Sequence, residues 1–389
     1  MADTAALYQW TDRVASRFPE LSRAQATALA WYSFGMALAH ACGLDAVALH
    51  LALYLARSAN TLRQRLRELY QPAAVKSGRR RTEFDPELCF APLLRWLTAG
   101  RADRRLVLAL DPTNLGERFT VLAVSAVYRG GAVPVAWRVL AGGARGSWNE
   151  HWKALLGRLR AELGAGWEVL VLSDRGLESR ELFGAVTALG WHPLMRAKAA
   201  GTCRPDGWVK SWPMGRFAAA VGRRWRGAGV AYGRESALRC TLLACWDEGH
   251  EGPWLLLTDL APAAGNPAWY AWRGWIEQGF KVLKGGGWQW QRTRMTDPAR
   301  AERLWAALAL ATLWLVEAGG EAERLGAAGP RPTGGREHRL FRLGLAVILI
   351  ALLRGELPGG AFHPEPWPQA DWASDPLTEQ QMNEHQTYP

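Results

Sequence analysis

The stretch from Arg104 to Ala199 constrains the fold more than any other part of the chain. It opens with three short apolar runs rich in β-branched residues, LVLALD, FTVLAVSAVYRG and AVPVAWRVLAG, the last two joined at Gly130-Gly131. This pattern predicts three neighbouring strands. A helix is expected next over Trp148 to Leu163. WEVLVLSD (167–174) follows, a continuous apolar run of the kind buried in the middle of a sheet; a helix in SRELFGAVTALG and a strand in WHPLMRAKA complete the series. Strands followed by alternating helix and strand define an α/β core.

The flanks have a different character. Residues 1 to about 70 carry few strand signals, and LSRAQATALAWYSFGMALAHA repeats apolar positions at helical spacing, so an all-helical N-terminal module is expected. Within it, Leu44 to Leu55, a break at Ser58-Ala59-Asn60 and Thr61 to Tyr70 read as a helix-turn-helix. Residues 199–260 are irregular and rich in Gly, Trp and Arg, then strand-like at LRCTLLACW and PWLLLTDL, which reads as a β-rich insertion. Asn266-Pro267 starts a helix that should run to Gly285-Gly286-Gly287, and Asp297-Pro298 starts another through Val316. One more apolar helix is expected at about 338–354, then a Pro- and Trp-containing end, GELPGGAFHPEPWPQADW, without periodicity, and the last fifteen or so residues are expected to be disordered.

Charge narrows the class of partner. With 47 Lys and Arg against 36 Asp and Glu the chain carries +11, which favours a polyanion. The apolar runs Leu304 to Val316 and Leu343 to Leu353 fall short of the roughly 20 residues a membrane-spanning helix needs, so they are expected to be core helices and the polyanion to be nucleic acid. The first residues show no export signal, and a cytoplasmic location is expected. Cys42, Cys89, Cys203, Cys240 and Cys245 are odd in number and form no C-x-x-C pair, which argues for reduced thiols rather than disulfides or zinc. Basic residues cluster twice. Arg57, Arg63, Arg65, Arg67, Lys76, Arg79, Arg80 and Arg81 are opposed only by Glu68, and the insertion has Arg223, Arg224 and Arg226 around Trp225. Such one-sign clusters repel themselves unless phosphates neutralise them.

Two aspartates follow apolar strands directly, Asp111 in LALDPT and Asp174 in VLSDRG, where ligands of α/β sheets collect. Their mutual repulsion needs a cation or a shared proton. A third acid, Glu277, lies on the helix that also carries Tyr270, Arg273 and Lys284. At about 100° per residue these four side chains fall within about 60° of one another. Three oxygen donors without His or Cys suit Mg²⁺ or Mn²⁺. Two such ions about 4 Å apart would stabilise both the attacking and the leaving oxygen of a phosphodiester displacement.

Asp111 in the form D-x-T, Asp174 in D-R-G, and Y-x-x-R-x-x-x-E-x-x-x-x-x-x-K from Tyr270 to Lys284 resemble the signature of bacterial insertion-sequence transposases of the DDE class. More narrowly they resemble its hairpin-forming, cut-and-paste insertion-sequence-four family, over about residues 100–318. The resemblance implies a ribonuclease-H-like core (99–198 and 261–320) interrupted by the β-rich insertion (199–260). The helical DNA-binding domain (1–98) would precede it and a C-terminal segment (321–389) follow. Asp111, Asp174 and Glu277 would hold two Mg²⁺ or Mn²⁺ ions, and Tyr270, Arg273 and Lys284 would contact backbone phosphates. A base flipped out of a DNA hairpin would stack on one of Trp272, Trp275, Trp288 and Trp290. The partners implied are double-stranded DNA, as transposon ends and target, and a second copy of the chain, with no membrane. A plain nuclease or resolvase would use the same acids without strand transfer, and a non-catalytic DNA-binding descendant would have no need of them.

Overall fold

A computed structural model of the chain describes residues 4–76, 82–144, 146, 148–327, 339–369 and 372–384. Five helices lead: α1 (Ala5–Arg17), α2 (Arg23–Ala39), α3 (Leu44–Leu55), α4 (Ala59–Arg67) and α5 (Phe90–Thr98). Ser22 starts α2 with a capping box, its hydroxyl accepting from Gln25 N while the Gln25 side chain accepts from Ser22 N. Next come β1 (Arg105–Leu115), β2 (Phe119–Tyr128), β3 (Gly131–Ala141), α6 (Asn149–Arg160), β4 (Glu168–Ser173), α7 (Arg180–Ala188) and β5 (His192–Arg196). The expected insertion contains β6 (Thr202–Pro205), β7 (Trp212–Pro213), β8 (Arg224–Ala231), β9 (Leu238–Cys245) and β10 (Trp254–Thr258). A 3-10 helix (Pro267–Arg273) runs into α8 (Gly274–Leu283), followed by α9 (Pro298–Arg324), α10 (Arg339–Leu353) and α11 (Glu379–Glu384). The chain is thus mixed α/β. The helix expected to stop at Val316 continues to Arg324, and part of the tail expected to be disordered forms α11.

These elements fall into two compact units. The first comprises Met1–Arg105, Pro112–Gly166 and Gly274–Glu365. Its axis is α9, started by Asp297, whose side chain accepts from Ala299 N and Arg300 N. By length and apolar composition α9 could cross a bilayer, yet its most apolar 18-residue window is 94% buried. Trp314 of α9 stacks on Trp10 of α1 at 4.1 Å and Trp305 lies beside Trp137 of β3. The β2–β3 hairpin turns through Arg129 and Gly130, both with positive φ, as a two-residue type I′ turn demands. Glu302, buried in α9, is held on this hairpin by Val139 N at 3.0 Å and Arg138 at 3.0 Å. Gly344 of α10 lies directly on the Leu315 backbone of α9, and Gly319 of α9 on Leu340, so the two helices meet where neither has a side chain.

The second unit comprises Leu106–Asp111, Trp167–Arg273 and Pro366–Pro389. Its strands are ordered β1-β4-β5-β10-β9-β8-β6-β7, with β4 and β5 parallel and the insertion's strands antiparallel. The insertion therefore extends the core sheet, through β10 beside β5, rather than standing apart from it. β4 is buried along almost its whole length, as a strand flanked on both sides must be. The five cysteines are buried free thiols, and burial pushes Cys42, Cys203, Cys240 and Cys245 up to about 12.

Candidate active site

Asp111 and Asp174 stand on neighbouring strands of the second unit. Asp174 comes directly after β4, as expected. Asp111 does not end its strand, because β1 runs on through Pro112, Thr113 and Asn114 to Leu115. The turn-prone residues after it hide this continuation. Arg273 brings the two acids together: its Nη2 lies 3.0 Å from Asp111 Oδ1 and 3.3 Å from Asp174 Oδ2. Asp111 and Arg273 have side-chain exposures of 13% and 14%, and Asp174 one of 38%. This is a partly desolvated site where repulsion between two carboxylates would be large without a shared cation. Tyr270 Oη donates to the Ser173 carbonyl at 3.3 Å and its ring meets Trp254 edge to face. Burial pushes the Tyr270 phenol well above its ordinary range, against a smaller opposite pull from Arg273, so it remains a neutral O–H donor.

The expected single helix face is corrected. Tyr270 and Arg273 lie on a 3-10 helix, and the α-helix begins only at Gly274. Three residues per turn superpose positions three apart, so Trp269 and Trp272 both reach Trp367, while Tyr270 and Arg273 share the side that bears the acids. Asn266 still caps the start, its Oδ1 accepting from Ala268 N.

Glu277 and Lys284 belong to the first unit. They are seven residues apart, two helical turns, and Lys284, directly after α8, still bonds through its N to the Phe280 carbonyl at 3.0 Å, so the two lie on one side. Gly279 lets α8 lie on Ala132 of β3. Glu277 is exposed, and Lys284 Nζ donates to Thr113 Oγ1 at 2.8 Å. Thr113, Glu277, Phe280, Lys281, Lys284 and Arg342 line an open cavity of about 550 Å³. One carboxylate among three cations is a lining that suits a phosphate chain. Thr113, the last residue of the D-x-T form, had no expected contact, and Lys281 and Arg342 were not expected at the site. Thr113 follows Asp111 by two residues, the spacing that puts both on one strand face, and that signal could have found it. Lys281 and Arg342 carry no motif.

The remaining candidates fare differently. Arg63 pairs with Asp45 at 2.7 Å, Arg65 lies over the Trp31 ring at 4.1 Å, and Arg67 is on the last turn of α4. Arg79, Arg80 and Arg81 lie outside the described residues. In the insertion, Arg224 meets Asp247 at 2.8 Å and Arg223 lies 3.8 Å from Asp375. Arg226 stands over Trp372 at 5.6 Å. The insertion's cationic cluster is thus opposed by Asp247 within the insertion and by Asp375 of the C-terminal segment. Trp288 and Trp290 are completely buried, Trp288 against Phe341 with its N–H on Thr312, Trp290 between Phe119 and Trp305. Neither can offer a ring face to a base in this conformation. Trp272 is buried on Trp367, and Trp275 is partly exposed.

Asp111 and Asp174 present converging carboxylate oxygens with a cation already between them, a donor set that fits a hard divalent ion. Among the described residues no three His, Cys, Asp or Glu side chains are grouped for a metal. A family model described as a transposase DDE domain matches residues 107–314, more than half of the chain and inclusive of all six signature residues. No curated protein matches. A solved structure that does is the cryo-EM synaptic complex of piggyBac transposase with hairpin DNA. It is 11% identical, covers 100% of this chain and 90% of that one, and has a TM-score of 0.39.

Proposed function

The chain belongs to the transposase DDE domain family and is an enzyme of DNA transposition, and from that premise we propose that Asp111, Asp174 and Glu277 are its catalytic acids. They would hold two Mg²⁺ or Mn²⁺ ions on a ribonuclease-H-like core. The observation that carries this reading is the convergence of Asp111 and Asp174 on Arg273. Two acids drawn from distant parts of the chain to one cationic group form a place for a cation rather than two isolated turn residues. The ions, when bound, supply charge stabilisation for the attacking and leaving oxygens of a phosphodiester.

The chain's own groups do the rest. Arg273 draws the two carboxylates together, and its guanidinium is the group that would pair with a phosphate there. Tyr270, neutral and already bonded to the Ser173 carbonyl, sets the orientation of Arg273 one 3-10 turn later. Lys284, steadied by Thr113, receives backbone phosphates beside Glu277 in the cavity that Lys281 and Arg342 also line. The reaction is cleavage at transposon ends and transfer of the freed 3′ ends into target DNA, through a hairpin and within a dimer. Trp275 is the tryptophan of the four best placed to take the flipped base. Arg63, Arg65 and Arg67, with Arg79, Arg80 and Arg81, serve the N-terminal helices as a phosphate-binding module, and the ends are read there.

A nuclease would use the same acids without joining. Pre-cut end duplexes incubated with supercoiled plasmid and Mg²⁺ separate the two. Joined products, seen as relaxed and linear plasmid carrying end label, are expected; cleavage of uncut ends with no joining would assign the chain to plain hydrolysis.

A further inference from the structure

The C-terminal segment of the second unit is seated on the insertion by two kinds of contact. The first is an apolar anchor: Trp367 packs on Trp269 and Trp272, and the Pro368 carbonyl accepts from Trp269 Nε1 at 3.1 Å and Asn266 Nδ2 at 3.2 Å. The second is polar and runs along β8. β6 pairs only with Gly229, Val230 and Ala231, so the outer edge of the first half of β8 needs other partners. The tail supplies them. Arg224 N donates to Asp375 Oδ2 at 2.9 Å, Asp375 N to the Arg224 carbonyl at 2.7 Å, and Arg226 N to Ser374 Oγ at 3.1 Å. Further along, both oxygens of Glu379 are taken by consecutive backbone donors, Val209 N at 3.0 Å and Lys210 N at 2.7 Å.

Each of these carboxylates sits where an anion is wanted. Asp375 has a backbone N–H and the Arg223 guanidinium. Glu379 has two successive backbone N–H groups, with Lys210 Nζ close by on Asn383. Backbone N–H groups with a guanidinium or ammonium beside them are the arrangement that takes phosphate oxygens. The surface they belong to is a cationic strip, Lys210 with Arg223, Arg226 and Arg224, the last paired with Asp247.

We propose that this strip is a binding surface for the backbone of duplex DNA and that Asp375 and Glu379 of the tail stand in for two phosphates on it, closing the strip until DNA displaces them. The inference rests on the reading that the enzyme binds DNA, and it adds where the insertion does so and what covers it beforehand. The Trp367 anchor stays in place while the polar stretch after it exchanges.

The test uses the full chain and a fluorescein-labelled duplex of arbitrary sequence at low salt. Asp375→Asn with Glu379→Gln keeps every acceptor but removes both charges. Asp12→Asn with Glu150→Gln removes two exposed charges from the other unit and controls for net charge alone. The tail variant is expected to bind at least about threefold more tightly than wild type and than the control, because the competent fraction rises. Hydrogen exchange on wild type should show amides of 372–383 losing protection when DNA is added, while Val209, Lys210, Arg224 and Arg226 keep theirs. Equal affinity of the two double variants, or a tail that stays protected with DNA bound, overturns the inference and leaves the DNA-binding reading intact. Failure of all three proteins to bind the duplex overturns both.

Discussion

Arg273 lies between Asp111 and Asp174, and its removal separates two roles of those acids. Arg273→Ala leaves two partly desolvated carboxylates facing each other, which should cost about 2 kcal/mol of stability in chelator, less than a fully buried broken pair because Asp174 is partly hydrated. Mg²⁺ should restore more stability to this variant than it adds to wild type, since the ion no longer competes with the guanidinium. Denaturant melts with and without Mg²⁺ measure this; no extra rescue would mean the acids do not hold a cation. Away from the site, Glu317 is buried and takes the Trp96 indole N–H at 2.8 Å. Burial pushes its carboxyl up to about 7, against the pull of Trp96, Arg13 and Arg17. A folded pKa raised in this way favours the folded state fully below the ordinary value of 4.5 and loses that contribution as pH rises through about 7. Glu317→Gln keeps the acceptor without the charge. It should match wild type in acid and be more stable by about 3 kcal/mol above the raised pKa; a stability difference that does not change with pH would contradict the assignment.

At the scale of elements, α9 and α10 are joined through glycine. A Cβ at Gly344 would overlap the Leu315 carbonyl, so Gly344→Ala must push the helices apart and should cost about 1 to 3 kcal/mol in urea unfolding; an unchanged midpoint would show that the contact yields freely. Periodicity made this helix pair, the β1–β5 series and α8 legible, because each buries a face at a regular repeat. It failed where tertiary contacts set the local geometry. Pro112 and Asn114 read as a turn yet continue β1. Trp269 and Trp272 both pack on Trp367, a spacing of three that matches the 3-10 helix found where an α-helix was expected. The tail looked aperiodic because its order comes from β8 and the 207–210 loop, contacts 151 and 170 residues away in sequence. The two aspartates and the Tyr, Arg, Glu, Lys series were legible as types at a spacing; the guanidinium bridge between Asp111 and Asp174 was not, since nothing local marks a contact across that separation.

For the molecule as a whole, the +11 charge favours a polyanion, but the structure divides it. Arg63, Arg224 and Arg239 are matched by Asp45, Asp247 and Asp206, so the cations able to meet phosphates are fewer than the 47 Lys and Arg of the sequence, and which of them do so depends on which acids move away. Binding and chemistry should therefore be separable, with binding spread over many cations and chemistry resting on three acids. The direct measurement is Mg²⁺-dependent nicking of transposon-end DNA by Glu277→Gln, alongside its affinity for the same DNA. The account predicts nicking reduced to background with affinity within about twofold of wild type. Nicking that persists at the wild-type rate would contradict it, and the acids named here would not be those of the active site.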